Sequence, residues 1–236
     1  MTAFKNVTIT SLAASLALCS SASAVVLAST SFDGKTLSPS NTANNLGWTV
    51  NGLADPGSMA AFNATGGAQA IFNGGDTPNI FTPGINTGNG NTFWTTSVSL
   101  TVVGGASVQV TDVTFDSWSI NGGQTQNVNR RSDFTLTILD PSNAVVGTVE
   151  VADVLSGTAA GVPNVTATFP SAVALSDSGT YTLEIKGGDF VGFNETGNHT
   201  GIDNLSINGT IGAVPEPSAI LLSSLSLLVL AGRRRR

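Results

Sequence analysis

Cysteine, histidine and tyrosine are almost absent from the chain, with one of each. A lone cysteine, Cys19, excludes an internal disulfide, a cysteine metal site and a paired-thiol redox centre, so packed side chains have to do all the stabilising. The lone histidine, His199, stands in Gly197-Asn198-His199-Thr200-Gly201, which reads as a turn ahead of the last strand. A Ser-His-Asp hydrolase would depend wholly on it, and there is no Gly-x-Ser-x-Gly elbow to present a nucleophile. Glutamate is scarce as well: only Glu150, Glu184 and Glu195 precede Glu216. A glycosidase needs two carboxylates across a cleft, and nothing in the sequence pairs them. No catalytic residue is assigned, and the expected class is a protein that is not an enzyme.

Positive charge is the next shortage. Of nine Lys and Arg residues, five are Lys5 and Arg233 to Arg236, close to the termini. Residues 25–213 keep only Lys35, Arg130, Arg131 and Lys186 against fourteen acidic residues, a net charge of −10. Phosphate binding needs a basic footprint, so nucleic acid is excluded as a partner. Charged residues make up only 10% of the chain, and Gly, Asn, Ser and Thr supply the polar surface instead, as in exported β-proteins with hydroxyl-rich strands.

Each end of the chain carries a pattern that concerns transport. Lys5 followed by an apolar run over 9–18 and the small residues Ala22-Ser23-Ala24 reads as a secretory signal peptide, cut by signal peptidase before Val25. At the other end, Pro215 and Pro217 fix φ and lack backbone donors, so Pro215-Glu216-Pro217 stays extended. The following AILLSSLSLLVLA, residues 219–231, carries no charge and suits a helix. Over 217–232 that helix rises roughly 24 Å, somewhat short of a ~30 Å hydrocarbon core. Its leucines surround the axis without leaving a polar stripe, which excludes an amphipathic core helix. Arg233, Arg234, Arg235 and Arg236 then resist translocation and hold the C-terminus in the cytoplasm.

This order of Pro-Glu-Pro, hydrophobic span and arginine cluster resembles the PEP-CTERM sorting signal of Gram-negative bacteria and covers about a tenth of the chain. The resemblance implies an inner-membrane-anchored precursor with its domain outside, cut by an exosortase near Pro215 to Pro217 and passed to the cell surface or extracellular matrix. A plain membrane anchor is the alternative. The expected layout is a signal peptide over 1–24, a folded domain over 25–213 and a sorting signal over 214–236.

Within the domain, apolar residues recur with period two. Strands are expected over 25–32, 47–50, 68–73, 92–103, 107–120, 133–139, 145–151, 164–169, 180–186 and 202–211. Phe134, Leu136 and Ile138 share one face, as do Tyr181, Leu183 and Ile185. Gly104-Gly105, Asp140-Pro141-Ser142-Asn143, Ser176-Asp177-Ser178-Gly179 and Gly187-Gly188 supply the turns. About ten strands at this spacing imply an all-β, jelly-roll-like sandwich of two antiparallel sheets, with a parallel β-helix as the other possibility. Two Gly- and Asn-rich loops, 73–91 and 121–131, are long enough to bind something.

Ser31-Phe32-Asp33-Gly34 and Gly201-Ile202-Asp203-Asn204-Leu205-Ser206 resemble the first and last strands of jelly-roll carbohydrate-binding and galactose-binding-like modules. That resemblance implies a structural Ca²⁺ held by Asp33 and Asp203, with loop carbonyls completing an oxygen shell. Without the metal, Asp33 would make a turn with Gly34, and Asp203 and Asn204 would cap a strand end. Sugar binding needs an aromatic platform beside amides. Trp48, Trp94, Trp118 and Tyr181 are the candidates, though each Trp lies in or beside an apolar strand where a large aromatic usually fills the core. The functional expectation is a structural or adhesive protein of the surface or polysaccharide matrix. A glycan-binding module with structural calcium stands second, and a secreted glycan-active hydrolase third.

Overall fold

The computed structural model describes residues 23–32, 42–43, 46–62, 93–104, 106–121, 131–155, 161–176, 178–188 and 198–213. Every element among them is a β-strand: β1 (Ser23–Thr30), β2 (Thr42–Ala43), β3 (Thr49–Val50), β4 (Met59–Phe62), β5 (Phe93–Thr101), β6 (Ala106–Asn121), β7 (Arg131–Leu139), β8 (Val145–Leu155), β9 (Gly161–Leu175), β10 (Thr180–Gly188) and β11 (Asn198–Ala213). They form a five-stranded sheet in the order β3-β1-β11-β6-β9 and a six-stranded sheet in the order β2-β4-β5-β10-β7-β8. All the pairings are antiparallel. The two sheets pack into the sandwich expected from the alternation.

Period-two patterning determines which side of each strand is buried. In β5, Trp94, Thr96, Val98 and Leu100 point inward; in β7, Phe134, Leu136 and Ile138 do; in β10, Tyr181, Leu183 and Ile185 do. Facing them from the five-stranded sheet are Leu27, Val108, Val110, Val113, Phe115, Leu205 and Ile207. Each such side chain, once fully buried, contributes roughly 1.5–3 kcal/mol relative to exposure. Phe115 and Phe134 meet edge-on between the sheets with ring centroids 4.7 Å apart. The Trp94 indole N–H crosses the core to the Thr200 carbonyl of β11 at 2.9 Å, and the Ser132 and Thr200 hydroxyls meet at 3.2 Å. These polar contacts join the two sheets without leaving a buried donor on Trp94 unmet.

The strands of the five-stranded sheet are long and irregular. Register shifts interrupt β6 and β11 between Asp203 and Ser206, and again between Asn208 and Gly209. Other shifts interrupt β6 and β9 between Val110 and Asp112 and between Phe115 and Ser117. A bulge reverses which residues face in, so Val108 and Val110 are core residues, and so are Val113, Phe115 and Ser117 after the slip. Asp112, Thr114, Asp116 and Trp118 therefore share the outer face.

Several boundaries differ from the sequence reading. His199 lies within β11, opposite Ile120, where a turn was expected, because the strand runs on through Thr200 and Gly201. Asp203 and Asn204 sit at a bulge inside β11 and not at a strand end. The short strands β2 and β4 were not expected; four residues or fewer carry too little periodicity to be seen. The expected strand over 68–73, the body of both long loops, residues 1–22 of the expected signal peptide and the expected helix over 217–232 lie outside the described residues. Among the described residues no helix is long and apolar enough to cross a membrane. β1 begins at Ser23, with Ser23 opposite Ile211 and Ala24 opposite Thr210, two residues ahead of the expected mature start at Val25.

Candidate functional site

The three tryptophans divide two to one. Trp94 is fully buried in the core, and Gly187 on the neighbouring strand makes room for it: a Cβ there would come within 2.6 Å of the indole. Trp48 is also buried, and its indole N–H donates to the Gly57 carbonyl at 2.8 Å. Neither ring faces a ligand surface. Trp118, near the end of β6, is partly exposed on the outer face of the five-stranded sheet. Its row partners are Gly201 on β11 and Gly161 on β9, and neither has a side chain to occupy the row. The indole lies across Gly161, where a Cβ would meet its Cδ2 at 2.8 Å. Its Nε1 is buried and has no acceptor among the described residues.

Moving back along β6 from Trp118, the outer face presents Asp116, Thr114 and Asp112. Asp116 accepts the Asn164 backbone N–H at 2.8 Å and the Asn204 side-chain amide at 2.8 Å. Asp112 accepts the Asn208 amide at 2.7 Å and the Thr111 hydroxyl at 2.8 Å, and the same amide reaches Thr114 Oγ1 at 3.4 Å. The backbone is adapted to these bonds, since Asn164 and Asn204 hold positive φ values of 56° and 49°, a region Asn tolerates better than most residues. A row of carboxylates oriented by amides thus runs up to the indole. The sequence carries the signal for it in the alternation Asp112, Thr114, Asp116, Trp118, which was read only as part of a strand.

The cations lie elsewhere. Arg131 and Lys186, the two described basic residues, belong to the six-stranded sheet. Arg131 pairs with Asp153 at 2.8 Å, and the Lys186 ammonium sits 3.8 Å from the centroid of Phe93. Lys186 also lines an open groove of about 300 Å³ with Asp133, Thr135 and Glu150. A second groove, of about 320 Å³, runs along the other sheet between Val25, Val26, Thr111, Asp112 and Asn208.

For calcium, the described residues give one of the two expected carboxylates. Asp203 is buried opposite Asp116, and its Oδ1 accepts the Asn204 N–H at 2.7 Å. Asp33 lies outside the described residues, among which no group of three or more His, Cys, Asp or Glu side chains could hold a metal ion. The described residues do not by themselves make the oxygen shell that calcium takes.

Comparison with known proteins finds a family motif at the C-terminus. Residues 213–236 match the model of the PEP-CTERM protein-sorting motif, beginning at the last residue of β11. No curated protein sequence matches the chain. Among solved structures, the carbohydrate-binding module TmCBM61 in complex with β-1,4-galactotriose is similar at 11% identity and a TM-score of 0.32, over 63% of this chain and 80% of that one. The arabinose-bound α-L-arabinofuranosidase MgGH51 is similar at 8% identity and a TM-score of 0.37. That match covers 78% of this chain but only 27% of the arabinofuranosidase.

Proposed function

We propose that this exported chain, whose sorting motif indicates a C-terminal membrane anchor before processing, is cut by an exosortase near Pro215 to Pro217 and delivered to the cell surface or polysaccharide matrix. There the sandwich acts as a structural or adhesive protein with no catalytic role. The observation that carries this reading is the match over residues 213–236, together with a domain that ends where the motif begins. Removal of the signal peptide by signal peptidase before Val25 belongs to the same reading.

One specific observation favours direct contact with glycan. Trp118 offers part of its ring on a sheet face, beside a row of carboxylate acceptors and amide donors, which is the chemistry that holds sugar rings and their hydroxyls. A buried indole donor without an acceptor costs about 1–3 kcal/mol, and an acceptor from outside the described residues, including a bound ligand, would relieve that cost. With Asp112 and Asp116 on this face and the described cations on the other sheet, the surface suits uncharged polysaccharide and repels uronate or sulfate. The test is co-sedimentation of the released protein with the host's own extracellular polysaccharide, comparing wild type with Trp118→Ala. Loss of binding at an unchanged melting temperature is expected; equal binding by the two forms would remove the glycan reading and leave the structural one.

A further inference from the structure

The bond that signal peptidase is expected to cut lies inside the sheet. Ala22 and Ala24 supply its small residues, and Val25 follows. In the folded chain Ser23, Ala24, Val25 and Val26 of β1 stand opposite Ile211, Thr210, Gly209 and Asn208 of β11. A protease closes round an extended, unpaired segment, and exposed loops and chain ends are its usual sites. The Ala24–Val25 peptide is neither once β11 is in place. Among the described residues β11 is also the only strand that pairs with this stretch, because β3 reaches no further than Ala28 and Ser29.

β11 is the last described strand of the chain and stands between β1 and β6. On its other side it pairs with β6 from Asn198, opposite Asn121, to Ala213, opposite Ala106. Leu205 and Ile207 of β11 are fully buried, as are Leu27 and Ala28 of β1. Docking of β11 therefore completes the core as well as the ladder, and the ladder reopens only by breaking both. We infer that β11 is the gate on signal-peptide removal: until it docks, the Ala24–Val25 bond is open to signal peptidase, and afterwards the bond is closed. The inference rests on the reading of a signal peptide cut before Val25. The gated reaction is hydrolysis, in which water breaks the amide and leaves a carboxyl group on Ala24 and an amine on Val25. The sorting motif starts at the last residue of β11, so β11 is exported just ahead of it and the gate is the last part of the domain to arrive. Signal removal thus precedes completion of the domain. A chain that folds uncut stays tied at two neighbouring strands, with Ser23 opposite Ile211 and both ends of the domain leaving the same end of the sheet.

The test is order of addition. The full precursor is purified uncut from host cells depleted of signal peptidase, unfolded in urea and diluted into detergent micelles, with signal peptidase added either at once or after refolding. Intact mass reads the fragment that begins at Val25. Cutting is expected to be about tenfold slower or more once the chain has refolded, because the protease then waits for the open form. Two variants localise the gate. Gly209→Ala crowds the Gln109 carbonyl of β6 and Leu27 of β1, whereas Gly147→Ala crowds Val173 of β9, away from the β1–β11 ladder. Melting temperatures check that each has refolded. Refolded Gly209→Ala should be cut faster than refolded wild type, and refolded Gly147→Ala should not. Equal rates in the two orders of addition, or a Gly147→Ala form cut as fast as Gly209→Ala, overturn the inference. If no fragment starting at Val25 forms even from the unfolded chain, the signal-peptide reading falls and the gate falls with it.

Discussion

Asp140 organises the β7–β8 turn with one carboxylate oxygen. Its Oδ1 accepts the Ser142 hydroxyl at 2.7 Å, the Ser142 N–H at 2.8 Å and the Ala144 N–H at 2.9 Å, while Asn143 takes the left-handed conformation at φ 66°. The Ser142 hydroxyl, followed by the Ala144 and Ser142 amides, holds the carboxyl below the usual aspartate value. A lowered native value means stability that is present above the unfolded-state value and is lost as pH falls through the native one. NMR titration of Asp140 should give a midpoint below that of a free aspartate, and Asp140→Ala should melt lower than wild type near neutral pH. That gap should close in acid; a gap constant with pH would contradict the assignment. The tryptophans allow a second comparison at this scale. Trp94→Phe removes the indole bond to the Thr200 carbonyl and part of a fully buried ring and should cost about 1–3 kcal/mol in chemical denaturation, whereas Trp118→Phe removes no bond to a described residue and should cost less. Gly209 is a third case, since a Cβ there would overlap the Gln109 carbonyl oxygen and crowd Leu27. Gly209→Ala should cost roughly 1–3 kcal/mol, and an unchanged melt would show that the bulge relaxes freely.

At the scale of the element, legibility followed regularity. β5, β7 and β10 alternate without interruption, and their expected spans and buried faces agree with the structure to within a few residues. β6, β9 and β11 hold bulges, and a bulge moves side chains to the other face without changing local composition; the slip in β6 precedes Asp112, so the alternation from Asp112 to Trp118 was there to be read, whereas the arrival of Asn164, Asn204 and Asn208 beside it across the bulges was not. The same irregularity explains the two prolines of β9, which within a regular central strand would argue against the assignment. They act as guards. Replacing both, as Pro163→Thr with Pro170→Thr, should expose β9 as a pairing edge and drive association visible in light scattering. No increase would mean that bulging alone protects the edge. His199 was misplaced for a related reason: Gly197 and Gly201 suggest a turn by composition, but Gly201 lies opposite Trp118 in the sheet, where the row has to be empty.

At the scale of the whole molecule, the sandwich ends where the sorting motif begins, and all its described strand pairings fall within residues 23–213. The core contains no cysteine, so the fold tolerates an oxidising exterior without depending on it. The sorting motif was the most legible part of the chain, because contiguous residues carry it and no strand pairing is needed to bring them together. The outer surfaces were the least legible, since they depend on which strands become neighbours. Intact-mass analysis of the protein in fractionated host cells tests the central claim most directly. A released species that begins at Val25 and ends near Pro217 is the expected result, whereas a membrane-bound species that still carries Arg236 would contradict processing and make the tail a plain anchor.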